Sequence, residues 1–179
     1  MPNQFKIDLE KVKERARSKM DDGAMTGAYK ADKEQVIKVL NEAVATEIVC
    51  ILRYRNNYFM AEGLNAGPVA DEFLVHANEE QQHLDWLSER IAQLGGVPDY
   101  NPRSLTDRSH ADYFQGDSII DMIKENLVAE RVAIEIYSEI IQWLGNDDPT
   151  TRRMLEDILK MEEEHADDLA GMLKEVSPK

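Results

Sequence analysis

A single cysteine, Cys50, stands in 179 residues, so no intrachain disulfide staples the chain, and the thiol reads as a small buried hydrophobe on a helix. Long apolar runs are missing too. None approaches the roughly eighteen residues of a membrane span, and the N-terminal MPNQFKIDLEKVKERARSKM lacks the apolar centre of a secretory signal. The expected setting is the cytoplasm, with no membrane partner. Six prolines and nine glycines are few, and they fall between periodic segments rich in Ala, Leu, Ile, Glu, Lys and Met, the residues that lose least on entering a helix. The expected class is all-α. Basic residues are outnumbered 35 to 21, leaving a net charge of −14, which excludes nucleic-acid binding by the surface as a whole and favours attraction of cations. With 42% hydrophobic residues, the length supports one domain with a sizeable core.

Periodicity and punctuation place four long helices. Asp32 caps the first, which runs to about Glu62 with Val36, Leu40, Ala43, Val44, Ile51, Tyr54 and Tyr58 inward. The second begins at Pro68 and ends at Leu94, where Gly95-Gly96 supplies a left-handed stop; its stripe includes Phe73, Ala77, Leu84, Leu87 and Ile91. Asp117 is expected to cap the third, and Asp148-Pro149 to open the fourth. Residues 1–31 read as an N-terminal extension and 32–176 as the bundle. Residues 97–117 show no clear period. Each long helix spans roughly 40 Å, and this 21-residue connection reaches roughly 70 Å when extended. It can therefore recross the bundle lengthwise, making the second and third helices parallel: a four-helix bundle with one long crossover between helices two and three.

Every apolar stripe has an acidic break at its centre: Glu47, then Glu80 with His83, then Glu130, then Glu162 with His165. Each break falls on the inward register, since Glu47 lies four residues from both Ala43 and Ile51, and Glu130 three after Leu127 and four before Ile134. Glu80 follows Glu47 by 33 residues, Glu162 follows Glu130 by 32, and each second glutamate has a histidine at i+3. The chain reads as two helical hairpins of one design. Four buried carboxylates at one level repel one another and each suffers a desolvation cost of several kcal/mol unless cations meet them. Two divalent ions balance the charge. Carboxylates with one imidazole per metal suit iron or manganese, and zinc can occupy the set without redox chemistry; iron is the preferred reading. Tyr54, seven residues after Glu47, is within reach of the site as hydrogen-bond partner or radical trap, while core packing is the favoured reading for both Tyr54 and Tyr137. Glu79, Glu89, Glu135, Glu139, Glu163 and Glu164 read as solvated surface charges. His76 and His110 show no metal spacing and stay unassigned.

EQQHLDWLSERI (80–91) and EEEHADDL (162–169), with Glu47, Tyr54 and Glu130, resemble the ferritin-like di-iron superfamily, most closely its bacterioferritin branch. That resemblance implies a ferroxidase that oxidises Fe(II) with peroxide or dioxygen and stores ferric mineral in a hollow homo-oligomer. Gln81 replaces the methionine that ligates haem in that branch, so haem is not expected. Glu79 and Met161 stand where aspartates commonly support the metal-bound histidines. Fourteen residues follow His165, too few for the fifth helix of 24-subunit shells, and the extension is similar to that of Dps-type mini-ferritins; a 12-subunit shell is the expectation. Dps-type proteins often bind DNA through basic tails. Here residues 1–20 carry six basic residues against three acidic ones, only a modest excess; a solvated or shell-packing helix is the preferred reading, and DNA binding by many tails acting together is the alternative. The competing readings are a manganese catalase or rubrerythrin-like peroxidase, which shares the cage, and a DNA-compacting protein.

Overall fold

The computed structural model describes residues 5–63 and 66–176, all-helical where regular. A short helix α1 (Leu9–Arg17) precedes α2 (Lys33–Met60), α3 (Ala66–Gln93), the single turn α4 (Leu105–Arg108), α5 (Ile119–Leu144) and α6 (Pro149–Val176). Asp32 caps α2 as expected, accepting from the Gln35 amide at 3.2 Å. Two boundaries differ from the sequence reading. Helix α3 starts at Ala66, so Pro68 lies inside the first turn, where its missing N–H is still harmless; Leu64 and Asn65 of the preceding turn lie outside the described residues. Ser118, not Asp117, caps α5: its hydroxyl accepts from the Asp121 amide at 3.2 Å and donates to the Asp121 carboxylate at 2.7 Å, a reciprocal arrangement open to a hydroxyl and closed to an acceptor-only carboxylate. At the other end of α3, Gly95 takes φ +82° and the Gly96 amide donates to Ile91 O at 2.9 Å, a Schellman stop.

Two apolar clusters define how the helices run. One gathers Val36 and Leu40 from the start of α2, Leu94 just past the end of α3, Leu144 from the end of α5 and Leu155 from the start of α6. The other gathers Tyr54, Val69 and Phe73, Ile123, and Leu169 from the opposite ends. Each hairpin is therefore antiparallel, and α3 runs parallel to α5. The polar breaks of all four helices lie between these clusters.

The crossover is more ordered than its lack of period suggested. It travels along the outer side of α2, held at successive positions. Asn41 accepts from the Asp99 amide at 2.7 Å, Thr46 from the His110 amide at 3.0 Å, and Arg53 donates to Asp112 O at 2.9 Å. Leu105 of α4 covers Ala45 and Val49. Arg53 also reaches α5, donating to Glu125 O at 2.7 Å and Asn126 Oδ1 at 3.0 Å, so one buried guanidinium ties together α2, the crossover and the second hairpin.

A second buried cation locks the far end. Arg90 is 6% and Asp148 1% exposed; they pair at 2.9 Å, and Asp148 also caps α6 through the Thr151 amide at 2.9 Å and accepts from Tyr29 Oη at 3.0 Å. Removing one partner of such a pair strands the other charge. Asp148→Ala should destabilise the protein by about 3 kcal/mol or more, lowering the thermal midpoint by roughly 10 °C. An unchanged midpoint in calorimetry would show that the pair contributes nothing.

Candidate metal centre

All six residues singled out for metal binding meet between the two apolar clusters, each 2% exposed or less. The helical register explains why: a residue three or four positions from core neighbours on both sides shares their face. The donors form two overlapping groups, Glu47, Glu80, His83 and Glu162 in one, and Glu80, Glu130, Glu162 and His165 in the other, with the donor atoms of each group within 4.8 Å of one another. Glu80 and Glu162 belong to both. His83 Nδ1 lies 3.1 Å from Glu80 and from Glu162 and 3.7 Å from Glu47; His165 Nδ1 lies 3.6 Å from Glu162, 3.7 Å from Glu80 and 3.8 Å from Glu130. Two cations could sit side by side here, Glu47 with His83 serving one and Glu130 with His165 the other, while Glu80 and Glu162 are within reach of both.

The fit to cations shows in what the protein leaves unpaired. Glu80 Oε1, both carboxylate oxygens of Glu162 and His165 Nδ1 are buried without hydrogen-bond partners, although buried polar atoms are almost always satisfied. All four point into the cage.

Electrostatics agree. Burial, then the Glu80 charge, raises the Glu47 carboxyl to about 8; burial, then the Glu130 charge, raises Glu162 to about 7. Burial works against ionising Glu130 as well, but the neighbouring His165 and Glu162 and the Tyr54 hydroxyl outweigh it and hold that carboxyl at about 2. Burial disfavours the charged imidazoles, yet the surrounding carboxylates keep both His83 and His165 protonated well above the usual histidine range. Without a cation, protons neutralise the cage; with one, those protons leave.

Around the ligands the sequence reading needs three corrections. Tyr54 does reach the site, donating to Glu130, but Tyr137 is not simply core packing: it donates to Glu47. The two phenols cross over, each bonding the glutamate of the opposite hairpin. Glu79 is not a free surface charge. Its carboxylate accepts from His165 Nε2 at 2.9 Å, fixing the tautomer that leaves Nδ1 facing the cage. His83 Nε2 instead meets the Met161 thioether at 3.3 Å, a weak acceptor, so the two cation positions are unequal. The third correction is His76, left unassigned from sequence. It is 1% exposed, stacks on His165 with ring centroids 4.2 Å apart, and has Nδ1 3.2 Å from Tyr54 Oη. Its register was the available signal: three residues after Phe73 and four before Glu80 is the inward face. His110 lies on the crossover, against Thr46, away from the cage. Cys50 is buried, as expected.

With this site inside a bundle of two antiparallel hairpins, the chain belongs to the ferritin-like family: residues 37–177 match the ferritin-like domain. Among solved structures it is similar to a dodecameric thioferritin, the bacterioferritin-related protein from Bacteroides fragilis, with 31% identity and a TM-score of 0.79 over 82% of this chain and 89% of that one. It is also similar to the bacterioferritin of Desulfovibrio desulfuricans, whose di-iron site has been seen in different catalytic states, with 26% identity and a TM-score of 0.72 over 80% of this chain and 81% of that one. A DNA protection during starvation protein from Pyrococcus furiosus is 31% identical over 75% of this chain and 74% of its own length. Among the described residues no helix is long and apolar enough to cross a membrane.

Proposed function

We propose that this protein is an iron-storage ferroxidase that oxidises Fe(II) with peroxide or dioxygen in the Glu47, Glu80, His83, Glu130, Glu162, His165 cage and keeps the ferric product inside a homo-oligomeric shell. The observation that carries this reading is the sharing of Glu80 and Glu162 between two four-donor groups, an arrangement that would hold two cations side by side. Two adjacent Fe(II) ions supply one electron each, the two that reduce one peroxide, with two protons, to two waters. The chain's residues do the rest. Glu80 and Glu162 keep the pair together, Glu47 with His83 and Glu130 with His165 close its two ends, and Tyr54 and Tyr137 hold the terminal carboxylates in place through their hydroxyls. Manganese or zinc would satisfy the same donors; zinc would bind without turnover.

The shell reading is supported by the dodecameric Bacteroides fragilis relative and by α1. That helix buries none of its residues, and Leu9 at its start with Phe5 and Ile7 just before it are between 55% and 86% exposed, apolar surface suited to a neighbouring subunit. Its cations are partly neutralised at home, Lys11 by Asp8 at 3.6 Å and Lys13 by Glu10 at 3.0 Å. We therefore read the extension as a subunit contact, with DNA, to which the Pyrococcus furiosus relative's name points, as the alternative partner. A cytoplasmic setting fits a protein that handles reduced iron.

Anaerobic Fe(II) titration should saturate a first phase at two irons per chain, and light scattering should give about 246 kDa, twelve chains of 20.5 kDa, with ferric mineral accumulating on repeated addition. A 41 kDa dimer that disproportionates peroxide and stores nothing would instead favour the manganese catalase or peroxidase chemistry that the same cage supports.

A further inference from the structure

Beyond the cage, a second group of ionisable side chains sits at its His165 side. Glu72 and His76 are one turn apart on α3, and Asp168 faces them from α6. His76 Nε2 lies 3.5 Å from Glu72 Oε1 and 4.0 Å from Asp168 Oδ2, and the three donor atoms lie within 4.8 Å of one another. Acidic residues near a surface are ordinary; the imidazole is not. His76 is 1% exposed, and while Nδ1 is engaged by Tyr54, the buried Nε2 has no hydrogen-bond partner and is aimed between the two carboxylates.

The internal repeat supplies a control. Advancing by 82 residues, the separation of His83 from His165, carries Glu72 onto Met154 and His76 onto Ile158; stepping back by the same amount carries Asp168 onto Trp86. The repeat-related corner, again between α3 and α6, is apolar at all three positions, with Ile158 in the core and Met154 and Trp86 packed against it. Packing alone is thus satisfied by hydrophobes at this position, and two carboxylates around a buried imidazole have another cause. The polar corner also opens outward: Glu72 and Asp168 line a surface cavity of about 950 Å³ with Asp167, Gly171 and Glu175 among its walls. Inward, the His76 ring lies against His165.

We propose that Glu72, His76 and Asp168 form a third divalent-cation site, outside the cage, with one nitrogen and two oxygen donors and with the cavity supplying solvent to complete the coordination. Ligands about 2.1 Å from an ion stand roughly 3.0–3.4 Å apart, so the 3.5 Å His76–Glu72 pair is already close to this range and the 4.0 Å His76–Asp168 pair must shorten by roughly 0.6–1.0 Å, movements that the 35% exposed Glu72 and 58% exposed Asp168 side chains can provide. An N/O₂ set of this kind takes Fe(II), Co(II), Mn(II) or Zn(II) in preference to the thiolate-seeking ions. The site stands independently of the cage's proposed ferroxidase role.

Co(II) is the probe. Crystals of the full-length protein soaked in Co(II) should show three anomalous peaks per chain, one of them between Glu72, His76 and Asp168, and equilibrium dialysis should count three Co(II) per chain in solution. Glu72→Gln with Asp168→Asn should reduce both counts to two, and the two remaining cage peaks report that the variant is folded. Two cage peaks without the third in the unaltered protein would overturn the proposal. So would a third ion whose affinity is unchanged in the double variant. A third peak beside an empty cage would leave this site standing and defeat the ferroxidase reading instead.

Discussion

Glu162→Gln should abolish two-cation binding altogether, whereas Glu47→Gln should leave one position filled. Glu162 contributes to both donor groups and Glu47 to only one, so the shared carboxylate is the more damaging loss although both are equally buried. Glutamine keeps the volume and removes the anionic donor. Loss of a partner one step removed from a metal already costs roughly 10–100-fold in affinity or activity, so removing a shared ligand should slow Fe(II) oxidation by about 100-fold or more. The metal-free variant should nevertheless fold as well as the parent. Glu162 is buried, carries unpaired oxygens, and resists ionisation until about pH 7, so neutralising it relieves the apoprotein of strain instead of weakening it. Anaerobic binding stoichiometry, stopped-flow oxidation and thermal melting of the metal-free forms check the three parts. Equal stoichiometries for Glu162→Gln and Glu47→Gln would show that the two cations do not share Glu162.

The stabilisation that a bound cation confers should grow steeply as pH rises from about 6 to about 9. Glu47 and Glu162 have folded-state values near 8 and 7, above their ordinary value of 4.5. Groups shifted upward give the metal-free fold stability that is complete below the unfolded value and is lost as pH rises through the folded one. The raised imidazoles His83 and His165 act in the same direction. Glu130, held at about 2, is ionised throughout this range and contributes no change. Cation binding needs the deprotonated forms, so its affinity runs oppositely, strengthening roughly tenfold per unit rise in pH for each proton that must be displaced. The metal-free melting temperature should therefore fall from pH 6 to 9 while the gap to the Zn(II)-loaded protein widens, with proton release on Zn(II) binding visible as a buffer-dependent calorimetric enthalpy. A gap that does not change with pH would mean that the carboxylates are already ionised before the metal arrives.

The four bundle helices, the antiparallel hairpins, the parallel relation of α3 to α5 and the convergence of Glu47, Glu80, His83, Glu130, Glu162 and His165 were all legible in the sequence. They are consequences of helical register, a property of residues three and four apart, and of the reach of a 21-residue connection. What register does not contain is the relation between residues on different hairpins. Tyr54 and Tyr137 show this most clearly: each is seven residues from a cage glutamate of its own helix, yet each bonds the glutamate of the other hairpin, because the docking of the hairpins, not spacing along one helix, sets which hydroxyl meets which carboxylate.

The same reason separates Glu79 from the surface glutamates it resembles by composition. Its neighbour His165 comes from α6, 86 positions away, and register within α3 does not mark it; only the family resemblance placed it where an aspartate commonly supports a metal-bound histidine. Sequence alone determined that this chain builds two like hairpins with a charged level at their centre, since periodicity and burial of like charges are local and additive facts. Only the tertiary structure decided that the level is unequal on its two sides, with Glu79 and His76 beside His165 and Met161 beside His83, because side chains distant in sequence acquire their partners only when the hairpins pack.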